Sequence, residues 1–342
     1  MPATTEARLA FLQQADTYGI STGRVEVIET HMSWVFLIGD QACKLKKSVR
    51  NDYLDFSTVA ARCHFCHEEL RLNQRLAPGI YRSVDVLALD SSGQLHFGTD
   101  GEPVDCVVRM RRLPVTAMLD HALLNHQATS ATMQQVAARM AAFHGALSPL
   151  YPEINAWLST LEDEINRNES SLMKHPQPML SEDVRALCKE QRHFLRKRTA
   201  WFSKRIQAGH IIEGHGDLRC EHVFINDNVG AIDCLEFQRT LRTLDCADEI
   251  AFLALDCERL QAPQLAAELL AAYWSCTNDW PPPALVHFYQ ALRACIRARI
   301  AIDHLNEQTF RHSPQWSKRT QEWLVLARRH QDCIKSDMEP PV

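Results

Sequence analysis

The stretch from His210 to Asp256 reads HIIEGHGDLRCEHVFINDNVGAIDCLEFQRTLRTLDCADEIAFLALD, and the interpretation of the chain begins there. Asp217 stands just before one short apolar run, 223–225, and Asp233 ends a second. The residues between the runs, 226–230, read Asn-Asp-Asn-Val-Gly, which is the composition of a turn. The pattern predicts a short β-hairpin that brings the two carboxylates to the same end.

A pair of carboxylates held in this way suits phosphoryl transfer. One of them orients an acceptor hydroxyl and takes its proton, while the other holds the magnesium ion that bridges the nucleotide phosphates. The alternative interpretation is a hairpin with two solvated acidic residues at its mouth. The neighbouring motifs have to decide between the two.

The full string is more specific than the pair. His-Gly-Asp-Leu, a hairpin, Ile-Asp and then Leu-Asp-Cys-Ala-Asp-Glu-Ile-Ala-Phe-Leu resembles the aminoglycoside phosphotransferase family of kinase-like enzymes. It looks closest to the bacterial branch in which the phosphotransferase domain often precedes an AAA-type ATPase domain. The resemblance implies Asp217 as catalytic base and Asp233 as metal ligand. It also implies that Asp245 and Asp248 support the loop from the start of the next helix.

Two positions in the loop 213–236 bear on mechanism. His222 stands where the family pattern has an asparagine that binds a second metal, and magnesium accepts imidazole poorly. His222 therefore shapes the loop, binds a softer ion such as manganese, or marks a site that binds nucleotide without turnover. Arg219 stands where this family commonly has a histidine, and a cation there would neutralise charge on the transferring phosphoryl group.

The N-terminal residues predict strands, one long helix and then more strands, the order of a kinase-like small lobe. Ala42-Cys43-Lys44 repeats the Ala-x-Lys of the kinase strand that reaches the nucleotide phosphates. Lys46 shares that strand face and is the fallback. On the helix, Glu69 is the predicted partner of Lys44, with Glu68 as the alternative. In isolation these charges would be interpreted as solvated surface residues.

The usual glycine-rich loop over the phosphates is missing, because 29–34 reads Glu-Thr-His-Met-Ser-Trp. Ser33 is the candidate phosphate donor in its place. The segment 107–114 looks like the last strand of the small lobe running into the hinge. Backbone groups from Met110 to Arg112 would then bind the adenine edge.

Composition describes an ordinary globular protein of 342 residues, with 46% hydrophobic and 23% charged residues. A net charge of −5 gives no electrostatic case for nucleic acid or an anionic membrane. No apolar run or leader pattern predicts a membrane span or secretion. We expect a cytoplasmic protein whose twelve cysteines are reduced. Zinc at Cys63-His64-Phe65-Cys66-His67 is disfavoured, since a second Cys-x-x-Cys is absent.

The expected fold is therefore α+β, a two-lobed protein-kinase-like fold resembling that of aminoglycoside phosphotransferases. Residues 1–112 would form the small β-rich lobe, and 113–342 the larger helical lobe that carries the loop 213–236. Helices are expected at 131–147, 153–168, 181–208, 263–276, 283–307 and 315–334.

The function predicted on this basis is phosphorylation of a hydroxyl on a small-molecule acceptor, with ATP (or GTP) and Mg²⁺. The alternatives are a nucleotide-binding pseudokinase that acts as a regulatory module, and a purely structural helical protein. No G-x-x-x-x-G-K-S/T motif occurs in the chain. The ATPase activity found in the related branch would have to come from a separate partner chain, if it is needed at all.

Overall fold

The computed structural model of the chain describes residues 4–50, 54–175, 181–226, 228–306 and 313–338. Two compact units are present: Met1–Met118 with His222–Arg242, and Leu119–Glu221 with Thr243–Val342. The sequence analysis assigned 222–242 to the helical lobe, whereas in the structure this segment belongs to the first unit.

The elements follow one another in a strand-rich and then a helix-rich part of the chain. The first part contains α1 (Thr5–Leu12), β1 (Glu26–Glu29), β2 (Ser33–Ile38), β3 (Gln41–Lys46), α2 (Val59–Asn73), β4 (Tyr81–Leu89), β5 (Leu95–Phe97) and β6 (Glu102–Arg111). Then come α3 (Leu119–Leu124), α4 (Ser130–Gly145), α5 (Ile154–Lys174), α6 (Ser181–Lys197), α7 (Thr199–Gln207) and β7 (Ile211–Glu213). The remaining elements are β8 (Val223–Phe224), β9 (Gly230–Ala231), α8 (Arg239–Arg242), β10 (Thr243–Asp245), α9 (Cys246–Arg259), α10 (Pro263–Thr277), α11 (Pro283–Asp303) and α12 (Pro314–Met338).

The six-stranded antiparallel sheet of the first unit has the order β1-β2-β3-β6-β4-β5. β2 and β3 form an antiparallel hairpin, and Gly39 takes a left-handed φ of 54° in its turn. One face of the sheet packs on α1 through Leu12, Phe36 and Leu45, all fully buried. This packing fixes which way the strand residues point, and therefore where the β3 lysines project.

Helix α2 begins at Thr58, whose hydroxyl accepts a hydrogen bond from the N–H of Ala61. Its buried polar residues follow the helical repeat, so that one face carries functional groups into the unit; they are Arg62, Glu69 and Asn73. The one long helix predicted between the strands of the N-terminal part is confirmed as α2.

The predicted hairpin after Asp217 is also confirmed, since β8 and β9 pair antiparallel with Val223 opposite Ala231. Gly230 is required there, because an added Cβ would lie 2.3 Å from the Phe224 ring and 2.4 Å from the carbonyl oxygen of Leu76. One residue of the predicted turn, Asp227, lies outside the described residues.

The cysteines contain one correction to the sequence analysis. Cys63 of α2 and Cys106 of β6 form a disulfide, so the expectation that all twelve cysteines are reduced was wrong. Sequence spacing could not show this pair, which is 43 residues apart. Cys63 is therefore not a zinc ligand, and no cluster of potential metal-binding side chains occurs among the described residues.

The second unit is built mainly from helices, with β7 and β10 pairing antiparallel as a two-stranded sheet. The predicted single helix over 181–208 is two helices, α6 and α7. Across the described ranges, no helix combines the length and the apolar character needed to span a membrane.

Candidate functional site

Lys44 of β3 lies at the centre of the functional cluster in the first unit. Its Nζ is 2.8 Å from Oε1 of Glu69 and 2.7 Å from Oδ1 of Asp233. The contact predicted between Lys44 and Glu69 is present, and a second carboxylate joins it from the segment after β9. The alternative partner, Glu68, instead contacts Arg71 at 2.8 Å and Arg242 at 3.9 Å.

Lys46, the fallback lysine, completes the same cluster from the same face of β3. Its fully buried Nζ lies 2.6 Å from Oε2 of Glu69 and forms a close ion pair with Glu236. Each oxygen of Glu69 is thus used by a different lysine. Since Lys44 alone of the two also contacts Asp233, the geometry favours Lys44 as the phosphate-binding candidate.

The charges of this cluster stabilise one another against burial. Burial lowers the pKa of Lys44, but Asp233 and Glu69 more than offset this effect and raise that pKa well above its ordinary value. Burial raises the pKa of Glu69, yet the two lysines bring that pKa below 4.5. For Glu236 burial prevails, and its pKa is raised despite Lys46. Lys44 and Glu69 are therefore a charged pair at neutral pH.

Asp233 is held by its backbone as well as by its side chain. Its φ of 64° is left-handed, a conformation that Asp and Asn tolerate better than other side chains. Its N–H donates to the hydroxyl of Tyr81 at 3.1 Å, and the next N–H, of Cys234, donates to Oδ1 of Asn73 at 2.9 Å. Asn73 also donates to the carbonyl of Glu69 at 2.8 Å, so α2 positions both Glu69 and the aspartate segment.

The predicted metal ligands differ in how well they fit magnesium. The Asp233 side chain is 48% exposed, and its carboxylate has the hard oxygen donors that magnesium prefers. Nε2 of His222 lies 3.8 Å from Oδ2 of Asp233, and the N–H of Ile232 donates to the carbonyl of His222 at 2.9 Å. By donor type Asp233 suits magnesium and the imidazole of His222 does not, and the metal-ligand role of each stays a prediction. The position of His222 is consistent with a loop-shaping role.

The remaining predicted nucleotide-binding residues lie on strand ends. Ser33 is buried and accepts, through its carbonyl, from the N–H of Thr30 at 2.8 Å. Met110 pairs with β3 and β4 within the sheet. The N–H of Arg112 donates to the carbonyl of Asp40 at 2.7 Å, and its side chain pairs with Glu26 at 2.9 Å. The adenine-binding role of 110–112 stays a prediction, and the Arg112 N–H is already engaged.

In the second unit, Asp217 is surrounded by arginines. Nε of Arg219 lies 3.1 Å from each of its oxygens and Nη2 lies 2.9 Å from Oδ2, while Nη1 of Arg297 is 3.7 Å from Oδ1. Arg219 also pairs closely with Glu221. Burial lowers the pKa of Arg219, but Asp217 and Glu221 outweigh it and raise that pKa. In this structure the Arg219 side chain contacts Asp217, the predicted base.

The backbone that leads to Asp217 is cradled by a buried carboxylate. Oε1 of Glu249 accepts from the N–H of His215 at 2.8 Å and of Gly216 at 2.7 Å. Burial would raise the pKa of Glu249, but hydrogen bonding and charge from His144 and these amides hold it at about 2. A Cβ at Gly214 would come within 2.5 Å of Glu249, so the close approach depends on that glycine.

His144 connects this cradle to the helical core. Its Nε2 lies 3.0 Å from Oε2 of Glu249 and its Nδ1 lies 2.6 Å from the hydroxyl of Tyr273. With Glu249 ionised, Nε2 of His144 is assigned as the donor of that hydrogen bond.

The two aspartates expected to support the loop make different contacts. Asp248 pairs with Arg293 at 2.7 and 2.6 Å, and Nη1 of Arg293 donates to the carbonyl of Gly216 at 3.4 Å. Asp245 accepts from Arg205 at 2.9 and 2.6 Å and from the hydroxyl of Tyr289 at 3.0 Å. Asp248 thus reaches the loop through Arg293, whereas Asp245 ties α9 to α7 and α11.

Three groups in these clusters were not singled out for their role in the sequence. The contact of Glu236 with Lys46 was not foreseen. The contact of Arg297 with Asp217 was not foreseen either. Glu249 follows Asp248 in the quoted motif, and its spacing from His215 offered no local signal. All three contacts join residues far apart in the chain.

Comparisons with known proteins support the fold. No family model matches the chain. Uncharacterized proteins of Mycobacterium tuberculosis and Mycobacterium bovis are 32% identical over 309 residues, covering 90% of this chain and 59% of theirs. The chain therefore spans about three fifths of the length of the curated relatives it matches.

Solved structures of small-molecule kinases are similar over nearly the whole chain. A thermostable mutant of aminoglycoside phosphotransferase APH(4)-Ia has a TM-score of 0.55 at 12% identity, covering 97% of this chain and 99% of that one. Choline kinase from Cryptosporidium parvum has a TM-score of 0.55 at 8% identity, with 92% and 90% covered. A ternary complex of an APH(4)-Ia mutant with AMP-PNP and hygromycin B has a TM-score of 0.54 at 11% identity, with 99% and 100% covered. The α+β chain therefore has the kinase-like fold of aminoglycoside phosphotransferases and choline kinases, as the motif around Asp217 predicted.

Proposed function

We propose that this protein transfers the γ-phosphoryl group of ATP to a hydroxyl of a small molecule. The observation that carries the proposal is Lys44 held between Glu69 and Asp233 on a kinase-like fold. Such an arrangement fixes a cation where phosphate oxygens are to be bound, beside a carboxylate suited to a divalent ion.

Each group has a distinct task in this proposal. Glu69 orients Lys44, which contacts the phosphates, and Tyr81 and Asn73 hold the segment 233–234 through its N–H groups. Asp217 accepts the proton of the acceptor hydroxyl. Asp233 would hold Mg²⁺, which when bound neutralises phosphate charge. Glu249 fixes the backbone of the loop, so that Asp217 is presented in one direction.

The nucleotide site is tested by thermal unfolding with ATP or GTP, each with Mg²⁺ or Mn²⁺. Ligand at 100 times its Kd stabilises the folded state by about 2.7 kcal/mol, which raises Tm by several degrees. We expect a metal-dependent rise in wild type that is lost in Asp233→Asn and kept in Asp100→Asn. Asp100 is an exposed acid in the same unit and serves as the charge-matched control. Equal rises in both variants would count against the assignment of Asp233.

A second candidate, the nucleotide-binding pseudokinase, is favoured by one specific observation. Arg219 occupies both oxygens of Asp217, which reduces the availability of that carboxylate as a base. The variant Arg219→Gln separates the two functions when hydroxyl-dependent ADP release is measured. An active enzyme that uses Arg219 for charge neutralisation loses turnover in the variant. A protein in which Arg219 blocks the base has no turnover as wild type and gains it on substitution.

A further inference from the structure

Arg297 is a partly buried cation that is weakly paired. Its side chain is 19% exposed, and its closest ion-pair contact is Oδ1 of Asp217 at 3.7 Å, beyond hydrogen-bond range. Within the described part of the chain, its Nε is buried and has no hydrogen-bond partner. Burial, and after it the charge of Arg219, lowers the pKa of Arg297 to about 10, which still leaves it protonated at neutral pH. A buried guanidinium in this state is stabilised by an added anion.

The neighbouring arginines on α11 differ from Arg297 in that each has a close carboxylate partner. Arg293 forms two hydrogen bonds to Asp248, at 2.7 and 2.6 Å. Arg299 pairs closely with Glu164. Arg297 stands between them in sequence on the same helix, and it faces the proposed base instead of a carboxylate of its own.

We propose that Arg297, together with Arg219, binds an anionic group of the acceptor, so that the acceptor is a hydroxylated acid carrying a carboxylate or a phosphate ester. The inference rests on the proposed function, because it assigns the substrate class of the same site. Asp217 and Glu221 already pair with Arg219, so Arg297 is the cation of this cluster with the weakest carboxylate contact and the one that an acceptor anion would pair with first. Guanidinium groups match the planar oxygens of carboxylates and phosphates through paired hydrogen bonds.

The anion would also prepare Asp217 for the reaction. An acceptor anion that pairs with Arg219 and Arg297 competes with Asp217 for Arg219 and frees the carboxylate for the acceptor hydroxyl. The hydroxyl oxygen then forms a bond to the γ-phosphorus as the bond to the bridging oxygen breaks. ADP leaves with that electron pair, and the hydroxyl proton passes to Asp217.

The test is binding of simple probes to the whole protein in the absence of nucleotide, at constant ionic strength set with chloride. The anionic probes are D-glycerate and glycerol 3-phosphate, which distinguish a carboxylate from a phosphate ester. Glycerol and choline are the neutral and cationic probes. We expect at least one anion to raise Tm saturably in wild type, with glycerol and choline having no effect. Arg297→Gln should weaken that anion by about tenfold or more, the loss expected for a charged hydrogen bond.

The matched control is Arg299→Gln, which removes the same charge from the same helix and should leave the anion affinity unchanged. Arg297→Lys should restore part of the affinity. Absence of a saturable effect with either anion, equal weakening in both Gln variants, or stronger binding of choline would each overturn the proposal. Because these measurements contain no nucleotide, they are independent of the Asp233 test. A protein that binds anions through Arg297 but ignores ATP would refute the proposed function alone.

Discussion

The cluster around Lys44 and the cluster around Asp217 differ in how completely their cations are paired with carboxylates. In the first unit, Lys46 is fully buried and contacts two carboxylates, Glu69 and Glu236. In the second unit, the Arg297 side chain is 19% exposed, its closest carboxylate is 3.7 Å away and its Nε has no partner within the described residues. A buried cation whose partners all come from the fold contributes to architecture and positioning. One that lacks them marks a place where a ligand can complete the bonding.

The largest effect is expected from Glu69→Gln, which removes the carboxylate shared by Lys44 and Lys46. Two buried ammonium groups lose a counterion at once, so we expect a loss of about 4 kcal/mol in the free energy of unfolding. Urea denaturation measures it. The control is Glu68→Gln, whose partially exposed pairs should contribute less than about 1 kcal/mol. Similar losses in the two variants would contradict the central role of Glu69.

The second unit contains a buried carboxylate whose partners differ from those of Glu69. Glu249 accepts hydrogen bonds from backbone N–H groups and from His144, whereas Glu69 contacts two lysines. The pKa of Glu249 is about 2 in the folded state against 4.5 ordinarily. A carboxyl group whose pKa is lower in the folded state than in the unfolded state stabilises the folded protein at pH values above the unfolded-state pKa. For Glu249 this contribution to the free energy of unfolding is about 3 kcal/mol, and it is lost as the pH falls from about 4.5 to 2. Unfolding measured across this range should show the loss in wild type. A profile of the same steepness in Glu249→Gln would refute the assignment.

A direct comparison of the two buried cations comes next in size. Lys46→Met leaves Glu69 and Glu236 short of a counterion, and we expect a loss of about 3 kcal/mol. Arg297→Met removes a charge that is poorly paired, so its effect should stay within about 1 kcal/mol of wild type. Chemical denaturation of both variants measures the difference. Equal losses would mean that Arg297 is a structural residue after all.

The smallest effect on stability is expected at Asp233, although its effect on nucleotide binding should be large. Its side chain is 48% exposed, and Asn keeps the left-handed backbone accessible, so Asp233→Asn should cost less than about 1 kcal/mol. Equilibrium unfolding without ligand gives this value. A loss comparable with that of Glu69→Gln would show that Asp233 is part of the core instead of a ligand-facing group.

Local patterns predicted the parts of the first cluster that depend on local geometry. The alternation of β3 placed Lys44 and Lys46 on one face, and both contact Glu69. Glu69 and Glu68 differ by one helical position, about 100° of rotation, and the buried face of α2 decides for Glu69. In the sequence analysis, only the resemblance to the family motif favoured Glu69 over Glu68. The apolar residues of α2 do not form a well-defined stripe from which the buried face could be predicted.

What the sequence could not provide is the choice of partner across long chain separations. Lys46 and Glu236 are 190 residues apart, and nothing near either residue indicates the pair. The expected role of Arg219, neutralising a phosphoryl group, depended on its place in the motif, whereas its side chain in the structure lies against Asp217. Side-chain direction in a loop is set by its surroundings, which the motif does not encode.

Because Cys63 and Cys106 form a disulfide, the covalent structure of the protein depends on whether the buffer contains a reductant. The disulfide links α2, the helix that presents Glu69, covalently to β6. A sample kept in dithiothreitol and one purified in air are therefore different chemical species. Affinities and melting temperatures from the two samples should be compared only after the free thiols in each sample have been counted.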